Sequence, residues 1–180
     1  MESKAQLPSG AMMLLRQARA SDAPAVLELH RSVLAEERYF ITRGDEFSTT
    51  LEQQVRQLLD FGKSPNSLWL LGLLKGHVVG FVTIRGGALK RMRHVGRLEI
   101  MVSPDVRGQG IGRALMECAL AWSQSNAMLC KLSLAVFADN ERAVAMYKGF
   151  GFEQEGYRSR EYRFEDGSFS DDVLMTRWVE

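Results

Sequence analysis

Three glycines alternate at Gly108, Gly110 and Gly112, between an apolar run at residues 98–102 and a helical pattern that begins at about residue 110. Glycine at such a turn removes the Cβ atoms that keep a backbone away from a ligand. The free N–H groups of a helix start converge on one point, and the helix dipole adds positive potential there. Arg107 and Arg113 flank the glycines and add side-chain charge. The chemistry that suits this constellation is capture of a phosphate-bearing ligand, a pyrophosphate in first place. No Gly-Lys-Ser/Thr follows, so it is not a P-loop with its Mg²⁺-binding hydroxyl. The glycine spacing and mid-chain position also differ from a dinucleotide fingerprint. Taken alone, the same residues also read as a glycine-rich joint between a strand and a helix.

A second constellation lies downstream. Asn140 stands at a helix start, and Tyr147 follows seven residues later, about two turns on and on the same face. Gly149, Gly151 and Phe152 close that segment.

The elements that must position these residues are readable from periodicity. Residues 12–18 alternate weakly and read as a first strand. Ser21 reads as the cap of a helix with Pro24 in its first turn and a stripe of Val26, Leu27, Leu29, Val33 and Leu34. A second helix is expected over residues 49–60, with Leu51, Val55, Leu58 and Leu59 inward. Residues 68–74 and 77–85 read as a hairpin about Lys75-Gly76. A basic loop at 86–96, a strand at 97–103, a helix at 110–125, a strand at 131–137 and a short helix at 140–147 follow. Two final strands turn about Asp166-Gly167. The order predicts an α/β (α+β) fold, with a mixed sheet of about seven strands and helices on both faces. Residues 1–11, broken by Pro8, Ser9 and Gly10, read as a flexible tail ahead of one domain at 12–180.

Composition narrows the function. The 180 residues carry 23 Lys plus Arg against 22 Asp plus Glu, a net charge of +1, which disfavours a protein that coats nucleic acid. No helix-turn-helix signature or stacking-aromatic motif points to nucleic acid either. Two Cys and three His leave little for a four-ligand zinc site, so no metal is expected. No apolar run approaches a membrane span, and residues 1–10 lack a signal-peptide core. Cys118 and Cys130 sit in apolar surroundings and read as free thiols, which suits a cytoplasmic location.

The two constellations together resemble the GNAT superfamily of N-acetyltransferases. Its phosphate-binding pattern, Arg/Gln-x-x-Gly-x-Gly/Ala, is matched by Arg107, Gly110 and Gly112. Its later pattern, Asn-x-x-Ala-x-x-x-Tyr-x-x-x-Gly-Phe, is matched by Asn140, Ala143, Tyr147, Gly151 and Phe152. The resemblance implies an acetyl-CoA co-substrate held between two splayed parallel strands, here 97–103 and 131–137. It implies a bulge near Met101 and Val102 that frees backbone groups for the pantetheine arm. The turn carrying Gly108, Gln109, Gly110, Ile111, Gly112 and Arg113 would hold the pyrophosphate, and Asn140 the arm. Tyr147 would protonate the departing thiolate after direct attack by the amine.

Two residues are candidates for the base: Glu99 on the splayed strand, and His94 just before it, a residue type suited to base chemistry at neutral pH. A water relay is the alternative to either. Residues 36–45 and 157–164 would build the acceptor site, with Tyr39, Phe40 and Tyr162 for an apolar side chain and Arg38 or Arg43 for a carboxylate. Packing is the competing reading of those aromatics. Where peptide-directed relatives carry a Glu on the second splayed strand, this chain has Ala135. The C-terminal half, with His94-Val95-Gly96, is further similar to a bacterial subgroup that acetylates free L-amino acids. Peptide N-termini, polyamines and antibiotic amines are alternative acceptors, and a CoA-binding regulator without turnover is an alternative function. A homodimer through the last strands is also implied. The basic run Arg85, Lys90, Arg91, Arg93 and Arg97 contains no acid and reads as a solvated hairpin tip, with substrate attraction as the alternative.

Overall fold

The computed structural model describes residues 1–36 and 39–179. Eight strands form one open sheet: β1 (Glu2–Gln6), β2 (Met12–Gln17), β3 (Leu68–Leu74), β4 (His77–Gly86), β5 (Val95–Val102), β6 (Lys131–Phe137), β7 (Glu153–Arg163) and β8 (Phe169–Trp178). Their order is β1-β2-β3-β4-β5-β6-β8-β7, and the one parallel pair is β5–β6. Among the described residues four α-helices accompany them: α1 (Ala23–Leu34), α2 (Leu51–Lys63), α3 (Ile111–Ser125) and α4 (Glu141–Gly149).

β3 reads as a continuous apolar run because both of its faces are covered. Leu68 and Leu70 join a core that contains Leu115, Met116 and Ala119 of α3. Trp69, Leu71 and Leu73 join a second core with Val26, Leu29 and Val33 of α1 and Leu58 and Phe61 of α2. The mixed sheet with helices on both faces is therefore as expected, with one strand more.

The extra strand is β1, where a loose tail was expected. Its five residues pair antiparallel with β2, and buried Leu7 anchors the turn behind it. α1 starts one residue later than the Ser21 cap implies. Asp22 occupies the N-cap position without a side-chain cap bond; its carboxylate instead takes two 2.7 Å bonds from Arg16 and one from the Arg19 N–H. α2 begins after Thr50, which forms a capping box with Gln53. Its inward face is Gln54, Leu58 and Phe61, while Leu51 and Leu59 are exposed.

The Arg16 guanidinium holds the Asp22 carboxyl below its usual range. A depressed carboxylate contributes stability that is complete above its unfolded value of about 3.9 and vanishes as pH falls through the folded value. Both side chains are largely buried, at 15% and 11% exposed. Asp22→Asn is expected to lower unfolding stability at pH 7 by about 1–3 kcal/mol. The gap to the wild type should close in acid below the folded pKa. Denaturant melts at pH 7 and at low pH check this; an equal deficit at both would assign the loss to packing.

Candidate active site

β5 and β6 are bonded only at their first residues, Val95 to Lys131, Gly96 to Leu132 and Arg97 to Ser133. Beyond that point β5 stays with β4 through Val102, and β6 stays with β8 through Phe137. The sheet therefore opens into a wedge whose facing backbone groups have no ladder partner. The expected bulge at Met101 and Val102 is not there: the β4–β5 register runs unbroken from Gly80↔Val102 to Gly86↔Gly96. The irregularity lies one strand over, where Val79 of β4 is the extra residue opposite Gly72 and Leu73, and its carbonyl takes the Ser103 N–H.

The glycine turn stands at the open end of the wedge. Gly108 and Gly110 have φ of +79° and +87°, the left-handed region where only glycine is unstrained. Gly110 is the N-cap of α3, and the first helical bond is Ala114 N–H to Gly110 C=O. The N–H groups of Ile111, Gly112 and Arg113 are thus left for a ligand. The nearest atoms a Cβ on Gly112 would meet belong to Val102, Ile100 and Met146, at 3.7 to 3.9 Å. That glycine therefore faces the space between β5 and α4. Gln109 and Arg113 are exposed at the rim, Arg113 bonded to Glu117 at 2.9 Å.

Arg107 is held rather than free. Its Nε donates to the Val102 carbonyl at 3.1 Å, and Nη1 pairs with Glu36 at 2.6 Å. A phosphate drawn to Arg107 would compete with Glu36 for the same guanidinium. Both partners are about one-third exposed, so the pair is worth at most about 1 kcal/mol. Glu36→Gln is expected to lower the KM for acetyl-CoA about two- to fivefold. An unchanged KM would show that the pair does not compete with the ligand.

α4 explains the spacing of its signature residues. The Asn140 Oδ1 accepts the Ala143 N–H at 3.2 Å, so its carbonyl end is committed to capping and its amide end remains as a donor. Ala143 packs beside the core. The helix ends in a Schellman motif: Phe152 N–H bonds Tyr147 C=O, Gly151 N–H bonds Lys148 C=O, and Gly151 has φ +76°. The accompanying contact is Phe152 edge-on to Tyr147, with ring centroids 5.9 Å apart. The Tyr-x-x-x-Gly-Phe spacing is thus a helix stop that fixes one phenol.

Tyr147 is buried, and burial, reinforced by the negative charge of Glu99, pushes its phenol up to about 12. Glu99 itself is exposed on β5. The charge of Glu99 thus reaches the Tyr147 phenol, while His94 stands apart. His94 stands at the closed end, where its carbonyl takes the Cys130 and Lys131 N–H groups. Five residues of strand separate it from Glu99, about 17 Å.

The acceptor side is walled by aromatics. Phe137 stacks on Tyr162 at 4.3 Å and meets Tyr39 edge-on at 6.1 Å. Phe137 was missed in the sequence, although strand alternation places it on one face with Ser133 and Ala135. Phe40 packs instead against the α1/α2 core. Arg43 is neutralised by Asp45 and Glu165, tying the α1–α2 connection to the β7–β8 hairpin. It is therefore spent as a carboxylate ligand, and Arg38 lies outside the described residues.

A wedge between parallel strands with a glycine cradle at its mouth defines a class, and the sequence comparison agrees with it. Residues 28–152 match the Acetyltransferase (GNAT) family, and the chain belongs to that family. It is an acetyl-CoA-dependent N-acetyltransferase of the GNAT type. It is 31% identical over 113 residues to the L-amino acid N-acetyltransferase AaaT of Escherichia coli, 63% of this chain and 69% of the relative. It is 36% identical over 111 residues to the peptidyl-lysine N-acetyltransferase YjaB of the same organism, 62% of this chain and 63% of that one. Among solved structures, a GNAT-family acetyltransferase from Streptococcus pneumoniae is similar at TM-score 0.89 and 32% identity, covering 92% of this chain and 99% of the other. YncA of Salmonella typhimurium, solved with acetyl-CoA, shares the fold at TM-score 0.82 and 14% identity, covering 93% and 94%. Among the described residues, no helix is long and apolar enough to cross a membrane.

Proposed function

We propose that this chain acetylates the primary amine of a small molecule, with free L-amino acids as the first acceptor class. The observation that carries the reading is the wedge between β5 and β6, which opens toward the glycine turn and has Glu99 on one of its strands and buried Tyr147 just beyond the other. The relative that acts on L-amino acids, and the exposed Ala135 in place of a second acid, favour a small acceptor.

Each group has a task in that chemistry. Glu99 takes the proton lost by the acceptor nitrogen, directly or through water. The new bond is nitrogen to carbonyl carbon, and the bond broken is carbonyl carbon to sulfur. An unpaired N–H in the wedge receives the charge that develops on the carbonyl oxygen. Tyr147, protonated throughout the physiological range, gives its proton to the departing thiolate. Asn140 and the groups at 107–113 hold the arm and the pyrophosphate.

Thiol release from acetyl-CoA, measured over free amino acids, lysine peptides, spermidine and an aminoglycoside, tests the reading. Preference for amino acids supports it, preference for peptides or polyamines moves the acceptor class, and acetyl-CoA binding without release to any amine overturns transfer. Free Cys118 and Cys130 suit a reducing, cytoplasmic setting. A homodimer through the last strands remains part of the proposal, with exposed Tyr157 and Trp178 as the apolar side chains available to it; sedimentation tests it.

A further inference from the structure

β4 and β5 place Arg85 directly opposite Arg97, and Thr83 opposite Glu99. Directly opposed residues share a sheet face, so Arg85, Arg97 and Glu99 all stand on the face that carries the proposed acceptor site. All three are exposed. Two like charges at a cross-strand pair, with Cα atoms about 5 Å apart, destabilise the sheet unless an anion joins them. Among the described residues no carboxylate pairs with either arginine. Nearby Lys131, by contrast, is engaged by Glu155. Arg85 is oriented without an acid: its guanidinium lies 4.3 Å over the Phe61 ring of α2. Stacking fixes the plane of the fork and leaves its N–H edges for a ligand.

Arg97 precedes Glu99 by two residues, about 7 Å along the strand. A ligand whose amine meets Glu99 therefore presents its nearest substituent to Arg97. A carboxylate on the same carbon as the amine fits that spacing and suits two guanidinium forks. We propose that Arg85 and Arg97 form the carboxylate anchor of the acceptor, and so select an α-amino acid over a simple amine. This deepens the amine-transfer reading above and rests on it. It also separates the basic run into two parts: the cross-strand pair binds, and Lys90 and Arg91 at the loop tip do not.

The test uses the full chain and two matched acceptors, L-phenylalanine and L-phenylalaninamide, which differ only at the carboxylate. For the wild type, kcat/KM should favour the acid. In Arg97→Gln the acid-to-amide ratio should fall about 10- to 100-fold, mostly through KM, and Arg97→Lys should recover part of it. Arg85→Gln should act in the same direction, while Lys90→Gln and Arg91→Gln should leave the ratio as in the wild type. Equal losses on both acceptors, a wild type that prefers the amide, or a ratio insensitive to Arg97 would overturn the anchor and leave transfer standing. Calorimetry with the product N-acetyl-L-phenylalanine gives an independent reading. Binding that Arg97→Gln abolishes supports the anchor even if turnover fails, and no binding to the wild type overturns it.

Discussion

Replacing Tyr147 with Phe is expected to lower kcat about 10²- to 10⁴-fold, the usual contribution of a positioned acid or base. The affinity for acetyl-CoA should stay close to that of the wild type. The change is conservative for the fold, because the ring contact with Phe152 and the helix stop at Gly151 do not involve the hydroxyl. The pH dependence should carry a signature. A phenol held at about 12 does not titrate where rates are measured, so the wild type should show no alkaline fall near the ordinary phenol value of about 10. Its rate should instead rise and level off as the acceptor amine loses its proton. An alkaline fall near 10, or turnover that survives in Tyr147→Phe, would remove this residue as the acid.

Gly110→Ala should damage the other half of the site. At φ +87° an L side chain pays about 1–2 kcal/mol, and the added Cβ would lie 2.8 Å from Cδ of Pro8. Pro8 belongs to the turn between β1 and β2, so relief requires that turn to shift or the N-cap of α3 to rotate. Rotation would redirect the three N–H groups proposed to hold phosphate. The expected result is a stability loss of about 2 kcal/mol and a KM for acetyl-CoA raised at least about tenfold, with kcat less affected. Gly112→Ala is the contrast. It has ordinary φ, contacts no closer than 3.7 Å, and gains helix propensity, so it should stabilise the free protein slightly. Equal KM values for the two variants would refute the role given to the left-handed N-cap.

How far the sequence reached can be followed residue by residue. Local chemistry was legible. The apolar β3, the glycine cradle before α3, and the Asn140–Tyr147–Gly151 segment each write their geometry within a dozen residues. Long-range competition was not. Ser21 and Asp22 are both good caps, and the preference is set by Arg16, six residues earlier on β2. β1 carries no apolar alternation, and only the neighbouring strand and buried Leu7 make it a strand. The inward face of α2 was misjudged because Gln54 is buried where Leu51 and Leu59 are not. His94 and Glu99 are neighbours in sequence, yet a strand's 3.3 Å rise per residue puts them at opposite ends of the opening. The Glu36–Arg107 pair joins residues from different elements, and no local signal announces it.

The wedge has a mechanical meaning as well. Seven register positions join β4 to β5 and seven join β6 to β8, but only three join β5 to β6. The sheet is thus two stiff panels, β1 to β5 and β6 to β7, sewn by a short seam. Opening along that seam exposes the fewest backbone bonds, so it is where the sheet tears first as stability falls. A substrate arm laid into the wedge would lengthen the stitching, which makes the loaded enzyme the one with a continuous sheet.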